Sequence, residues 1–219
     1  MRVLRYTLTA DGSSDRALLP IIEWTLANVN ELRDIGRVPQ FLEPRGGVGR
    51  NLLQRLTAAQ EKYPCDLLFV HRDAERESSE RRIQEIRKAF VGSTTPYVPL
   101  VPVRMTEAWM LIDAIAIRTA ADNPNGRQVL DLPPLNRLEQ LPDPKETLNG
   151  LLLQVSGKSG RRAIKFKREL SWRRTRVAEL ISDFSPLRVL RAFQDFERLT
   201  LEAVANLLGT AVGRYESVP

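Results

Sequence analysis

Residues 65–71 read "CDLLFVH". Four apolar residues in succession, Leu67 to Val70, show no polar alternation. A short continuous run of this kind suits a central strand covered on both faces, as in a parallel sheet. Upstream, "GRNLLQRLTAAQEKY" (49–63) has the spacing of an amphipathic helix and "VPQFLE" (38–43) that of a short strand. Further back, "RVLRYTLT" (2–9) alternates and is rich in β-formers, which predicts the first strand. Between these strands Leu18, Ile21, Ile22 and Leu26 recur at helical spacing from Ser14 to about Val29. Pro20 requires that helix to start near Arg16 or to bend, because proline is comfortable only in a first turn. Downstream, "ESSERRIQEIRKAF" (77–90) predicts a third helix with Ser78 or Ser79 as its cap. "YVPLVPV" (97–103) predicts a fourth strand, which Pro99 and Pro102 place toward an edge or make irregular. "TEAWMLIDAIAIRTA" (106–120) reads as a fourth helix.

Strand and helix thus alternate four times, the pattern of an α/β fold with a mostly parallel four-stranded sheet flanked by helices. Residues 122–144 are rich in Pro and Asn and form a connector. Beyond it, "KETLNGLLLQVS" (145–156), "RRTRVAELISDF" (173–184) and "SPLRVLRAFQDFERLTLEAVANLL" (185–208) read as helices, the last with Ser185 as cap and Pro186 in its first turn. The organisation expected is an α/β core over residues 1–120, with a connector and helical extension over 121–219 packed on it.

Composition narrows the chemistry. One cysteine, Cys65, excludes an internal disulfide framework, and one histidine, His71, excludes a two-histidine phosphodiesterase site or a zinc cage built by this chain alone. No apolar run approaches the roughly 18–20 residues of a membrane helix, and Arg5 interrupts any N-terminal signal segment. A cytoplasmic protein with no membrane partner is the expectation, and any metal must be held by oxygen ligands, which points to Mg²⁺ or Mn²⁺. The net charge is +6, but Lys158 to Arg191 alone holds eleven basic and three acidic residues, a local charge of +8. Such asymmetry points to a polyanion, with Arg162, Lys165, Lys167, Arg173 and Arg174 as candidate nucleic-acid contacts.

In parallel sheets ligands bind beyond the carboxyl ends of the strands. "ADGSSD" (10–15) follows the first strand and brings Asp11 and Asp15 to that end. Asp, Gly and Ser are also what a tight turn and a helix cap demand, so the corner alone is open to both readings. "HRDAE" (71–75) follows the third strand and carries Asp73 and Glu75 two residues apart, on one side of an extended segment. If the two strands are neighbours, these acids converge and can share a divalent cation. Glu107, after the fourth strand, is either a helix-dipole partner or a further acid of the site, with Arg104 near enough to pair with it. His71 reads as a structural residue or a general base. "RGGVG" (45–49) is a glycine-rich corner in which Arg45 and Arg50 are candidate phosphate contacts. Trp172 reads as a core anchor, with base stacking as the other role.

The opening "YTLTADGSSDRALLP" with "LLFVHRDAE" resembles the Toprim fold, whose first strand ends in an acid followed by glycine and whose third ends in D-x-D. "VRMTEAWMLID" and "SPLRVLRAFQDF" extend the likeness to small Toprim-like proteins of the DUF4276 type, related to the nuclease domain of the OLD family. The resemblance implies a metal-dependent nuclease, or another phosphodiester-active enzyme of bacterial defence, with Asp11, Asp73 and Glu75 as metal ligands. Asp15 and Glu107 would serve a second metal position or the leaving group. Asp11 replaces the usual glutamate and the pair here is D-x-E. The alternative is a non-catalytic subunit that binds nucleic acid or a partner protein encoded in a defence operon. Neither reading fixes the oligomeric state.

Overall fold

A computed structural model describes residues 3–43, 51–74 and 77–209. Four strands, β1 (Val3–Thr9), β2 (Gly36–Leu42), β3 (Leu67–His71) and β4 (Tyr97–Leu100), form one sheet in the order β2-β1-β3-β4, and every pairing is parallel. Thr9 is level with Val70, so β1 and β3 end side by side. The α/β class read from the sequence is therefore the observed one, and β4 with its Pro99 is an edge strand.

The period of two along each strand divides the core. Leu4, Tyr6 and Leu8 of β1 and Leu67 and Phe69 of β3 face one side. There they meet α1 (Leu19–Ala27), α4 (Ala114–Ala120), α5 (Pro144–Ser156), α6 (Gly160–Leu180) and α7 (Arg191–Leu208). Leu68 and Val70 face the other side, against Leu56 and Ala59 of α2 (Leu52–Lys62) and Ile86 of α3 (Ser79–Ala89). The unbroken apolar run of β3 is thus buried on both faces, as its sequence requires. On the larger side the ring of Phe69 meets Tyr6 edge-on at 5.7 Å and lies 6.1 Å from Phe196, while Trp109 meets Phe193 edge-on at 5.2 Å.

Several boundaries differ from expectation. After β1 the chain makes a 3-10 turn, Ser13–Leu18, and only then enters α1, so that Pro20 falls in the first turn where its missing N–H is harmless. Residues 106–120 are not one helix: a 3-10 turn, Thr106–Met110, stops at Leu111, and Asp113 caps α4 by accepting from Ile115 and Ala116 N–H groups at 2.8 and 3.0 Å. Ser78 is the cap of α3. Asp183 takes the place expected of Ser185, accepting its N–H at 2.9 Å ahead of a 3-10 turn that precedes α7. The helix expected over 173–184 begins at Gly160. Within it, Trp172 is exposed and not a core anchor.

No helix among the described residues is long and apolar enough to cross a membrane.

Candidate active site

The carboxyl ends of β1 and β3 and the turn after β4 enclose one polar cluster. Its centre is His71, the last residue of β3, fully buried. With Nδ1 only 3.1 Å from the Leu100 carbonyl, Nδ1–H donates to β4 and fixes the ring, leaving Nε2 to face the site. Around Nε2 stand Asp73 Oδ1 at 3.4 Å, Thr106 Oγ1 at 3.5 Å and Asp15 Oδ2 at 3.7 Å. A neutral ring with its proton on Nδ1 would turn a bare lone pair toward two carboxylates. The cluster therefore demands a positive charge between these groups.

The proton affinities follow. Burial disfavours charge on His71, but the close approach and charge of Asp73, the charge of Asp15 and the Leu100 carbonyl outweigh it, and its pKa rises. Burial also raises the pKa of Asp15, against the counteracting charge of His71 and the Gly12 N–H. That N–H donates to Asp15 Oδ2 at 2.8 Å. Asp15 is thus both the corner residue that its turn calls for and an acid of the site.

Asp73 Oδ1 is buried and accepts no aligned hydrogen bond from the described residues. Its nearest donor among the described residues is Nε2–H of the protonated His71 ring, 3.4 Å away.

Glu107 is brought near by the 3-10 turn after β4, where Arg104 takes a left-handed backbone (φ 69°) that a bulky side chain rarely adopts. Its partner is not Arg104 but Arg174 of α6, whose Nε lies 3.0 Å from Oε1. Burial raises the pKa of Glu107, partly offset by a backbone N–H and by Arg174.

Asp11 is drawn elsewhere. Its carboxylate pairs with Arg55 of α2 and, at 3.0 Å, with Nε of Arg72, so it is not turned toward Asp73. Glu75, Arg45 and Arg50 lie outside the described residues. Of the ligand set expected from sequence, Asp73 stands with Asp15 about His71, Asp11 is paired with the two arginines, and Glu75 is not among the described residues. No group of three or more His, Cys, Asp or Glu side chains among the described residues is arranged to hold a metal ion.

The basic extension divides in two. Arg162, Lys165 and Lys167 are exposed on α6. Arg173 and Arg174 are buried and committed. Arg173 donates to the Ala120 carbonyl at 2.5 Å, to Asp122 at 2.7 Å and to Glu169 at 2.6 Å. Its guanidinium also lies over the rings of Phe166 and Trp172, at 4.2 and 4.7 Å. These two arginines are structural cations, not surface phosphate contacts, because the face of α6 that carries them packs inward with Phe166 and Val177.

Arg55 and Arg72 join the site without a motif to announce them. The only signal in the sequence is Arg72 beside His71; the approach of Arg55 depends on how α2 crosses the sheet. No family model, curated protein or solved structure matches the chain.

Proposed function

We propose that the chain is a divalent-metal-dependent phosphodiester hydrolase, a nuclease of Toprim-like type, whose cation is held by Asp15 and Asp73. The observation that carries this reading is the cluster at His71 Nε2. It brings the carboxylates of Asp15 and Asp73 to one buried point at the carboxyl ends of β1 and β3, where Asp73 Oδ1 has only the protonated His71 ring, at 3.4 Å, to meet it. Two carboxylates suit Mg²⁺ or Mn²⁺, which take oxygen ligands and retain several waters for substrate to replace. When bound, such an ion supplies Lewis-acid polarisation of a phosphoryl oxygen.

The chain's own residues bind and orient. The Gly12 N–H fixes the Asp15 carboxylate, and the Leu100 carbonyl holds the His71 ring with Nε2 toward the site. The Thr106 hydroxyl beside Nε2 is a neutral partner for whichever of these groups carries the proton. Exposed Arg162, Lys165 and Lys167 would hold a nucleic-acid backbone, with binding that weakens steeply as salt rises.

A second reading, a non-catalytic subunit that docks nucleic acid or a partner protein, is favoured by the ion pairs that already neutralise Asp11 and Glu107. Incubation with labelled DNA and RNA, single- and double-stranded, in Mg²⁺ or Mn²⁺ separates the two. The hydrolase reading expects cleavage that stops in EDTA and falls by about a hundredfold or more in Asp73→Asn, the order of loss for a group acting on transition-state charge. Absence of cleavage, or cleavage indifferent to that substitution, overturns it. Binding that survives both EDTA and the substitution is the result that the second reading expects.

A further inference from the structure

The geometry points to a phosphate-binding site formed by Arg55 and Arg72, which the chain's own Asp11 fills when no ligand is present. Its place in catalysis rests on the hydrolase reading; the anion site itself does not. Arg55 extends from α2 over the end of β1, where its Nη1 donates to the Ala10 carbonyl at 3.4 Å. Arg72 comes from the residue just past β3. Both side chains are largely enclosed, 13% and 21% exposed, whereas Asp11 between them is 42% exposed. Arg72 also lies 3.7 Å from Glu85, but that carboxylate is held more closely by Arg82, at 2.9 Å. Two guanidinium groups thus share one acid that belongs to neither as a dedicated partner.

The fit of Asp11 is incomplete. Arg55 Nε is buried with no acceptor among the described residues. Arg72 Nε is close to Asp11 Oδ2 but the N–H is not aligned on it, so that donor too is unsatisfied there. A carboxylate offers two oxygens in one plane, and two guanidinium forks present more donors than it can meet. A phosphate group offers three or four oxygens in a tetrahedron and the charge to match two cations.

Asp11 is also the residue free to leave. It follows β1 in a bend, and these two ion pairs are the polar contacts of its side chain among the described residues. A phosphate entering the arginine pair would displace it. The released carboxylate stands four residues from Asp15, at the strand end where Asp15 and Asp73 already gather, and is available there as the third acid that the described residues lack. Substrate phosphate would in this way complete the cation site.

The test is calorimetric titration of the full chain with inorganic phosphate in EDTA, where no cleavage is involved. Asp11→Asn, which removes the competing charge, is expected to bind phosphate at least tenfold more tightly than wild type. Arg55→Gln and Arg72→Gln are each expected to weaken binding by tenfold or more. Circular dichroism and thermal melting establish that each variant is folded, and Asp11→Ala replaces Asp11→Asn if the latter is not. Equal affinity in wild type and the Asp11 variants, or wild-type affinity in both arginine variants, overturns the proposal. A chain that cleaves nothing yet binds phosphate more tightly without the Asp11 charge retains this site and loses the hydrolase reading. Metal-dependent cleavage with no gain in phosphate affinity removes this site and leaves the hydrolase reading standing.

Discussion

Glu107 and Arg174 meet in a setting where each depends on the other, since both side chains are about nine-tenths buried. Removing one partner of such a pair strands a charge, at a cost of about 3–5 kcal/mol. Glu107→Ala should therefore lower unfolding stability by about 3 kcal/mol in urea titrations, and Glu107→Gln, which keeps an acceptor, by less. Asp122 makes the opposite case, since its carboxylate is more than half exposed. A hydrogen bond from Arg173, with a further one from Lys158, overcomes the smaller effect of burial and lowers its pKa to about 2. A depressed carboxylate stabilises the fold above its unfolded pKa of about 3.9, and that contribution fades as pH falls toward the folded value. Wild type should thus exceed Asp122→Asn in melting temperature at neutral pH, by no more than about 1 kcal/mol of stability, and the two curves should converge only below about pH 2. At this scale the sequence was partly legible. Asp15 and Asp73 could be placed because adjacent parallel strands end together. Asp11 could not, because its partners come from a helix and a strand end that only the fold brings near. Arg173 and Arg174 looked like surface cations among basic neighbours, yet Phe166, Leu170, Arg173, Arg174 and Val177 fall on one helical stripe, and that periodicity was the signal of their burial.

Elements were legible where periodicity was strong and misjudged where a single side chain interrupts it. Apolar spacing carries through residues 106–120, and nothing in the pattern distinguishes a 3-10 turn from the start of an α-helix. Asp113 makes the difference by offering its carboxylate to two N–H groups that would otherwise need a preceding turn. Asp113→Ala should cost about 1 kcal/mol, the usual worth of an N-cap, and its effect should appear in hydrogen exchange first at the amides of Ile115 and Ala116. The beginning of α6 is hidden in the sequence for another reason. Glycines at 157 and 160 and a run of cations interrupt the apolar pattern, and the first buried side chain of α6 is Phe166.

Across the whole molecule the division at residue 120 marks a change of texture more than a break in the core. One apolar cluster runs from Leu4, Tyr6 and Phe69 through Trp109 to Phe166, Phe193 and Phe196. Trp109→Ala should therefore destabilise the entire chain, by about 3–5 kcal/mol as for other buried aromatic truncations. Unfolding followed by tryptophan fluorescence and by far-ultraviolet circular dichroism should remain coincident, as a single transition requires; separate midpoints for the two probes would show that the halves fold apart. The same cluster also has a consequence for biosynthesis. Phe193 and Phe196 belong to α7, made long after the strands they cover. As the chain leaves the ribosome, β1, β3 and the turn bearing Trp109 emerge while that part of their covering is still untranslated. Until residues 191–208 arrive, the nascent sheet presents uncovered aromatic surface, the kind that draws chaperones or aggregates.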